Sequence, residues 1–241
     1  MRIPFLNRRE YTSSPPAPTK RLPFGIQQGD SIGILGMRHT GKTEIGKGLY
    51  KAVMDAYPFA TGYIIDSNAS GDFTGWRGGY SGLDCPIIRP GPRGRQVVWQ
   101  PPRDDADAYE DFFQRLYAAR VPAVLFIDEL VALGKGGKTK RLHYSTILKR
   151  GRARPNFPGI TIISLSQEFA QSADVPRQTF SQCVHFIRFY VQNNYDLREA
   201  NRLAHLAPNA QPEHQHGFWH IRLDKPPLVP KYYKGKEVLG L

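Results

Sequence analysis

The chain has 241 residues, with 33 Lys and Arg against 21 Asp and Glu, so its formal net charge is +12. Its hydrophobic content of 40% is typical of a globular protein, and no apolar run reaches the roughly 18 residues of a membrane span. The two cysteines argue against a disulfide or zinc framework. The positive charge indicates a polyanionic partner such as a nucleic-acid backbone; the alternative is a charge that serves solubility.

Residues 1–24 are rich in proline, polar and basic, and they show no periodicity. This composition predicts an extended N-terminal arm outside the core. The arm either contacts a neighbouring subunit or partner or is a plain tail. The first residues have no apolar signal core, so we expect an intracellular protein. Residues 25–241 are predicted to form one domain, with a basic insert rich in Gly and Pro near 71–103.

The segment GMRHTGKT, residues 36–43, matches the phosphate-binding pattern G-x-x-x-x-G-K-[ST] at every fixed position. A short apolar strand precedes it, and a helical pattern over 42–56 follows it. This order places backbone N–H groups and a helix N-terminus around an anion. We expect Lys42 to reach the outer phosphates of ATP and the Thr43 hydroxyl to hold Mg²⁺. The predicted nucleotide contacts are Gly36, His39, Thr40, Gly41, Lys42, Thr43 and Glu44.

A second motif, PAVLFIDEL at 122–130, reads as a buried parallel strand that ends in two acids. The carboxyl end of such a strand is where an open α/β sheet binds its ligand. Asp128 is therefore predicted to hold the metal through water, and Glu129 to orient or deprotonate the attacking water. The alternative is an acidic pair that only caps the next helix.

The remaining pattern alternates strands with helices. We predict strands near 31–35, 62–66, 123–128, 160–165, 184–190 and 217–222, with short ones at 86–88 and 97–99. Helices are predicted near 42–56, 105–119, 141–150 and 195–205. This alternation indicates an α/β fold with a mostly parallel central sheet covered by helices on both faces. We interpret the histidines at 205, 214, 216 and 220 as structural or solvated rather than as a metal site.

Two basic, glycine-rich segments are candidates for contact with a phosphate backbone. One is the insert, and the other is the loop 134–141 that follows the acidic pair. The candidate DNA-binding residues are Arg77, Arg93, Arg95, Lys135, Lys138, Lys140 and Arg141. The alternative for both segments is a solvated loop without a ligand.

Another buried strand ends at Gln167, which is expected beside the γ-phosphate, and Arg150, Arg152 and Arg154 precede it. A cation supplied to a neighbour's γ-phosphate would stabilise the transition state. The run from Leu148 to Gln167, with FSQC…RFYVQNNYD at 180–196, resembles the FtsK/HerA superfamily of ring-forming, DNA-pumping ATPases over residues 29–206. The matching residues are Gly36, Gly41, Lys42, Thr43, Asp128, Glu129, Gly151, Arg152, Gln167, Asn194 and Asp196.

The resemblance implies a P-loop NTPase fold of the RecA/ASCE-like type, a three-layer sandwich that uses ATP and Mg²⁺. It implies catalytic roles for Lys42, Glu129 and Gln167, with Arg152, and next Arg150, acting on a neighbouring subunit; alternatively the arginines bind DNA or solvent. The minimal size resembles the genome-packaging ATPases of tailless icosahedral viruses with internal membranes.

For such a protein we expect a homo-oligomeric ring, a pentamer or a hexamer, that translocates double-stranded DNA. It would act in the host cytoplasm or at a virion vertex, where a capsid or membrane protein is a possible partner. The alternatives are a cellular or plasmid translocase of the same superfamily, and a nucleotide-regulated DNA-binding assembly protein with little motor activity.

Overall fold

The computed structural model describes residues 18–69, 71–76, 79–81, 84–88, 95–102, 105–130, 142–153, 157–168 and 178–235. Its strands are β1 (Ser31–Leu35), β2 (Thr61–Ile65), β3 (Gly79–Ser81), β4 (Arg95–Gln100), β5 (Ala123–Ile127), β6 (Ile160–Ser166), β7 (His185–Arg188), β8 (Phe218–Arg222) and β9 (Lys231–Tyr233). Its helices are α1 (Lys42–Ala56), α2 (Ala106–Ala119), α3 (Leu142–Arg150), α4 (Gln178–Ser181) and α5 (Asn194–Leu203).

The strands form one sheet in the order β3-β4-β2-β5-β6-β1-β7-β8-β9. Every neighbouring pair from β3 to β7 is parallel, whereas β8 pairs antiparallel with β7 and with β9. The predicted α/β class with a mostly parallel sheet is confirmed. The crossover order matters for function, because it puts β6 between β1 and β5, the two strands that end in the predicted motifs.

Helices cover the sheet on both faces. The central strands β1, β2, β5 and β6 are buried at every position, which is why they read as continuous apolar runs. On one face, Phe112 and Phe113 of α2 and Ile147 of α3 join a buried cluster. On the other face, Leu49 and Val53 of α1 belong to a second cluster. The result is a three-layer sandwich.

The structure differs from the predicted elements mainly at the sheet edges. Residues 86–88 are not a strand, and the three-residue strands β3 and β9 were not predicted. Strands this short carry too few alternating positions for the pattern to be visible. The predicted strand at 184–190 is shorter in the structure, because β7 ends at Arg188. None of the helices in the described ranges is long and apolar enough to cross a membrane.

The end of the predicted arm lies on the domain. Leu22 is buried in the cluster that includes α1, and the Thr19 backbone N–H donates to the Ala56 carbonyl at 3.0 Å. Residues 18–24 therefore contact the domain, although the sequence analysis assigns them to an arm outside its core. Residues 1–17 lie outside the described residues, so the arm itself stays a prediction.

Gly29 is required where the chain turns into β1. Its φ is +85°, and a Cβ there would lie 2.5 Å from the Ala153 backbone nitrogen. We expect Gly29→Ala to lower the free energy of unfolding by about 3 kcal/mol, because backbone strain and a backbone clash add. Gly75, with φ +80° and nothing within 4 Å of its Cβ position, is the matched control.

Gly75→Ala should cost only the conformational strain, on the order of 1 kcal/mol. Urea denaturation of both variants measures the difference. Equal losses of stability in the two variants would contradict the clash at Gly29.

Candidate active site

The phosphate-binding loop joins β1 to α1 and is tied to the strands on either side. The Gly36 N–H donates to the Ser166 carbonyl at the end of β6 at 3.1 Å, and the Met37 N–H donates to the Tyr190 carbonyl beyond β7 at 3.0 Å. Gly41, before α1, has a left-handed φ of 95°. The loop needs residues without a side chain at these two positions, and Gly36 and Gly41, the fixed glycines of the motif, meet that need.

Lys42 lies folded against its own loop. Its Nζ donates to the Met37 carbonyl at 3.1 Å, and the Thr40 hydroxyl donates to the same carbonyl at 2.8 Å. Burial lowers the pKa of the Lys42 ammonium, while the nearby Glu129 and Asp128 carboxylates act to raise it. A buried ammonium whose local partner is a carbonyl is suited to exchange that bond for a phosphate oxygen.

Acidic side chains crowd the neighbouring strand ends. The Asp128 N–H donates to the Ile65 carbonyl at 3.2 Å, which aligns the ends of β5 and β2 and brings Asp66 beside the acidic pair. Burial, together with the charges of Asp66, Asp72 and Glu129, raises the pKa of Asp128 to about 6.

This crowding fits a divalent cation. Among the described residues, no group of three or more His, Cys, Asp or Glu side chains is arranged to hold a metal alone. Mg²⁺ usually binds one or two protein oxygens and takes its other ligands from water and phosphate. Thr43 and Asp128 are the residues that would hold it, and the ion would neutralise phosphate charge.

Gln167 links the strands to the acidic pair. It follows β6, and its Nε2 donates to Glu129 Oε2 at 2.9 Å. Glu129 follows β5, so it and Gln167 lie at the ends of two adjacent strands. The next strand in the sheet is β1, and Lys42 lies beyond its end, at the start of α1. The structure thus brings Lys42, Asp128, Glu129 and Gln167 to one edge of the sheet.

The other predicted contacts belong to the loop and the first turn of α1. Thr40 is buried, whereas His39, with φ 62°, and Glu44 are exposed. Glu44 lies in the first turn of the helix. Their contacts with nucleotide stay predictions.

A histidine that sequence reasoning left as structural touches the phosphate loop. His216 precedes β8, and its Nδ1 lies 3.3 Å from the Thr40 carbonyl oxygen. A Cβ at Gly41 would lie 3.6 Å from the same nitrogen. Nothing in the spacing of the four histidines singles out His216, because 176 residues separate it from Thr40.

A cavity of about 480 Å³ opens beside Gln167. It is lined by Met37, Arg38, Gln167, Glu168, Gln192, Asn193 and Asp196. Asp196 is only 2% exposed, and its Oδ1 has no hydrogen-bond partner among the described residues. A buried carboxylate in this position calls for a cation. The cavity is therefore suited to a positively charged side chain.

The two described arginines of the predicted cluster differ sharply. Arg152 lies near the amino ends of the strands, away from the phosphate loop. Its Nε is 3.6 Å from Asp30 Oδ1, and its Nη2 is 2.6 Å from Asp224 Oδ2. Arg150, the last residue of α3, is exposed and forms no ion pair within the described ranges. The structure brings neither arginine to its own phosphate loop.

The contacts of the candidate DNA-binding residues stay predictions. Those that lie outside the described residues are Arg77, Arg93, Lys135, Lys138, Lys140 and Arg141. Arg95 begins β4, and its side chain is also outside the description.

Solved structures of other proteins share this fold. The genome-packaging NTPase B204 of Sulfolobus turreted icosahedral virus 2 has a TM-score of 0.60 and 20% identity, over 88% of this chain and 98% of that chain. The pCW3 conjugation coupling protein TcpA has a TM-score of 0.57 and 15% identity, over 89% of this chain and 63% of that one. The chain has the P-loop NTPase fold.

A third neighbour is the cytoplasmic domain of the type VII secretion ATPase EccC from Thermomonospora curvata. Its TM-score is 0.53 and its identity 13%, over 96% of this chain and 30% of that chain. No protein-family model matches the sequence, and neither does any curated protein. The expected resemblance to DNA-pumping P-loop ATPases is confirmed at the level of the fold.

The raised pKa of Asp128 predicts a pH-dependent stability. In the folded state the Asp128 carboxyl keeps its proton up to about pH 6, whereas its ordinary pKa is 3.8. The folded state therefore binds more protons than the unfolded state between these two pH values, and stability falls as the pH rises through this range. At pH 7.5 the charged, crowded carboxylate destabilises the nucleotide-free protein. Asp128→Asn should therefore raise Tm at pH 7.5.

At pH 4 the same substitution should have a much smaller effect, because the native carboxyl is then neutral as well. Thermal denaturation of both proteins at the two pH values measures this. Asp107→Asn, in the first turn of α2, is a control away from the cluster. A gain in Tm for Asp128→Asn that is independent of pH would contradict the raised pKa.

Proposed function

We propose that the protein is an ATPase of the FtsK/HerA type that translocates double-stranded DNA, as a subunit of a viral genome-packaging motor. The observation that carries the proposal is the Gln167–Glu129 hydrogen bond beside the phosphate loop. It holds a carboxylate where a water molecule would attack the terminal phosphate of a bound nucleotide. Hydrolases need such a group.

The chemistry follows from these positions. The loop N–H groups and Lys42 bind the phosphates, and Thr43 with Asp128 would hold Mg²⁺, which supplies positive charge to them. Glu129 accepts a proton from water as the oxygen–phosphorus bond forms and the bond to the ADP leaving group breaks. Gln167 keeps the Glu129 carboxylate oriented toward that water.

DNA is the substrate that the proposal adds to the ATPase. The net charge of +12 is more than a nucleotide requires. Among the neighbours, B204 is named as a genome-packaging NTPase, and its whole length corresponds to most of this chain. A packaging subunit would work in the host cytoplasm or at a virion vertex, docked on a capsid or membrane protein.

A plasmid or cellular DNA translocase is the second candidate. The likeness to the conjugation coupling protein TcpA favours it. Co-purification of the protein with virus particles separates the two candidates.

We also propose a ring, pentameric or hexameric, in which one subunit supplies an arginine to the nucleotide of the next. Because Asp30 and Asp224 already hold Arg152 within its own chain, Arg150 becomes our first choice. The cavity beside Gln167, with the buried Asp196 in its wall, would accept such a guanidinium.

The nucleotide chemistry is tested at two residues. Lys42→Ala should lose both tight ATP binding and hydrolysis, because phosphate charge is no longer neutralised. Glu129→Gln should keep ATP binding and lose hydrolysis by on the order of 10²-fold or more, because only the water step is affected. Nucleotide binding by fluorescence and phosphate release measure the two steps.

Glu213→Gln, an exposed substitution in the turn before β8, is the control and should leave both steps unchanged. Near-normal hydrolysis by Glu129→Gln would remove Glu129 from the proposed role. DNA-stimulated turnover of the wild type, compared with turnover without DNA, separates a motor from a nucleotide-regulated assembly protein.

The arginine is tested by mixing subunits. Arg150→Ala and Glu129→Gln should each be inactive alone, since an arginine donated in this way is typically worth ~10³–10⁵ in rate. A mixture should regain activity at interfaces that combine an intact Arg150 with an intact Glu129. The same mixture made with Arg152→Ala instead is the comparison, and full activity of assembled Arg150→Ala rings would assign the role elsewhere.

A further inference from the structure

A large groove lies away from the hydrolytic site, on the outer side of α1. It has a volume of about 1010 Å³ and runs between residues 20–25, the α1 surface and the β8–β9 hairpin. The charged residues that line it are Lys20, Arg21, Lys51, Arg222, Lys231 and Asp55. Five cations thus face one carboxylate, a much greater imbalance than the 33 to 21 of the whole chain.

Most of these cations keep charge available for a ligand. Lys20 lies 3.9 Å from Asp55, but both side chains are about 70% exposed, so water weakens this pair. Lys51 lies over the Trp76 ring at 5.1 Å, and Arg21 and Lys231 form no ion pair with any described residue. The groove therefore has a net positive charge that its one lining carboxylate, Asp55, does not balance.

One wall of the groove is strained and rigidly supported. Phe24 has a φ of 58°, a conformation that bulky side chains rarely adopt, and Gly25 follows with φ 69°. The Phe24 ring stacks on His220 at 4.2 Å and meets Tyr233 edge-on at 5.4 Å. Strain of this kind, on the order of 1–3 kcal/mol, is typical of ligand clamps.

Arg222 holds the same wall from the sheet side. Its Nη1 donates to the Gly25 carbonyl at 3.3 Å, and its Nε donates to Asp224 at 2.7 Å. The groove is thus built from a fixed turn, a helix and a hairpin rather than from loose surface side chains.

Both of its main walls lead to the phosphate loop. Helix α1 begins at Lys42 and Thr43, and farther along it presents Gly48, Lys51 and Ala52 to the groove. The hairpin strand β8 begins just after His216 and Gly217, and His216 contacts the Thr40 carbonyl. A ligand in the groove would press on the two elements that position the loop, which offers a route for coupling to hydrolysis.

We propose that this groove binds the sugar-phosphate backbone of double-stranded DNA. The inference rests on the proposed function, and it adds a binding surface built from described residues. Phosphates spaced along a duplex supply the repeated negative charge that the groove lacks. The chain's own arm does not fit this need, because residues 1–17 contain three arginines and one glutamate.

The test compares two variants that lose the same charge. The groove variant carries Lys20→Gln, Arg21→Gln, Lys51→Gln and Lys231→Gln. The control carries Arg120→Gln, Lys149→Gln, Arg198→Gln and Arg202→Gln, which are exposed and lie outside the groove. Fluorescence anisotropy with a duplex of about 30 base pairs over a range of salt concentrations measures the affinity of each protein.

If all four cations contact phosphates, the slope of log affinity against log salt concentration should fall in magnitude by up to about 3.6 in the groove variant, at ~0.9 per phosphate contact. Its DNA-stimulated ATPase rate should fall, and its basal rate should remain that of the wild type. The control should keep nearly the whole slope. If the quadruple variant does not fold, Lys51→Gln with Lys231→Gln should lose about 1.8.

Each other outcome has a distinct meaning. A wild-type protein that hydrolyses ATP but binds no duplex overturns the proposed DNA translocase. A wild type that binds, together with equal slopes for the groove and control variants, overturns the groove but not the function. If the groove binds an acidic protein strongly and this binding does not change the affinity for duplex DNA, the groove proposal is likewise overturned.

Discussion

The backbone bonds that hold the phosphate loop to its neighbouring strands are the constraint on which the rest of the site depends. Gly36 donates to β6 and Met37 donates to the chain beyond β7, so the loop conformation follows from the strand order. A Cβ at Gly36 would lie 2.5 Å from the Phe189 Cβ, so even alanine would push the loop off this framework. The loop can then present its N–H groups without side chains in the way.

Charged side chains are arranged differently at the carboxyl ends and at the amino ends of the strands. At the carboxyl ends of the strands, burial and the charges of Asp66, Asp72 and Glu129 raise the pKa of Asp128. Crowding of like charges disfavours the nucleotide-free state, and a bound metal and phosphate would relieve it. Stability at this edge is thus given up for ligand binding.

At the amino ends of the strands, buried polar side chains pair with one another in a network. Asp30 Oδ2 lies 3.2 Å from His185 Nε2, and the other nitrogen of His185 lies 3.1 Å from His220. Burial, with the charges of His185, Lys231 and Arg222, lowers the pKa of His220 to about 3, so this ring is neutral near neutral pH. Arg152 joins the network through Asp30, which gives the Gly-Arg pair a structural role.

The sequence alone determined the parts of this protein that depend on local pattern. The phosphate loop, the apolar strand before Asp128 and the central helices were predicted within a few residues, because glycine spacing and apolar periodicity are local properties. The α/β class followed from their alternation. The edge strands β3 and β9 did not, since three residues carry no readable period.

Only the tertiary structure decided which distant residues meet. Gln167 lies beside Glu129, His216 beside Thr40, and Arg152 beside Asp224 across separations of 38 to 176 residues. The same holds for the groove, whose walls come from the chain's two ends and from α1 between them. Such contacts arise from the crossover order of the strands, and buried apolar runs of similar composition do not encode that order in any short stretch of sequence.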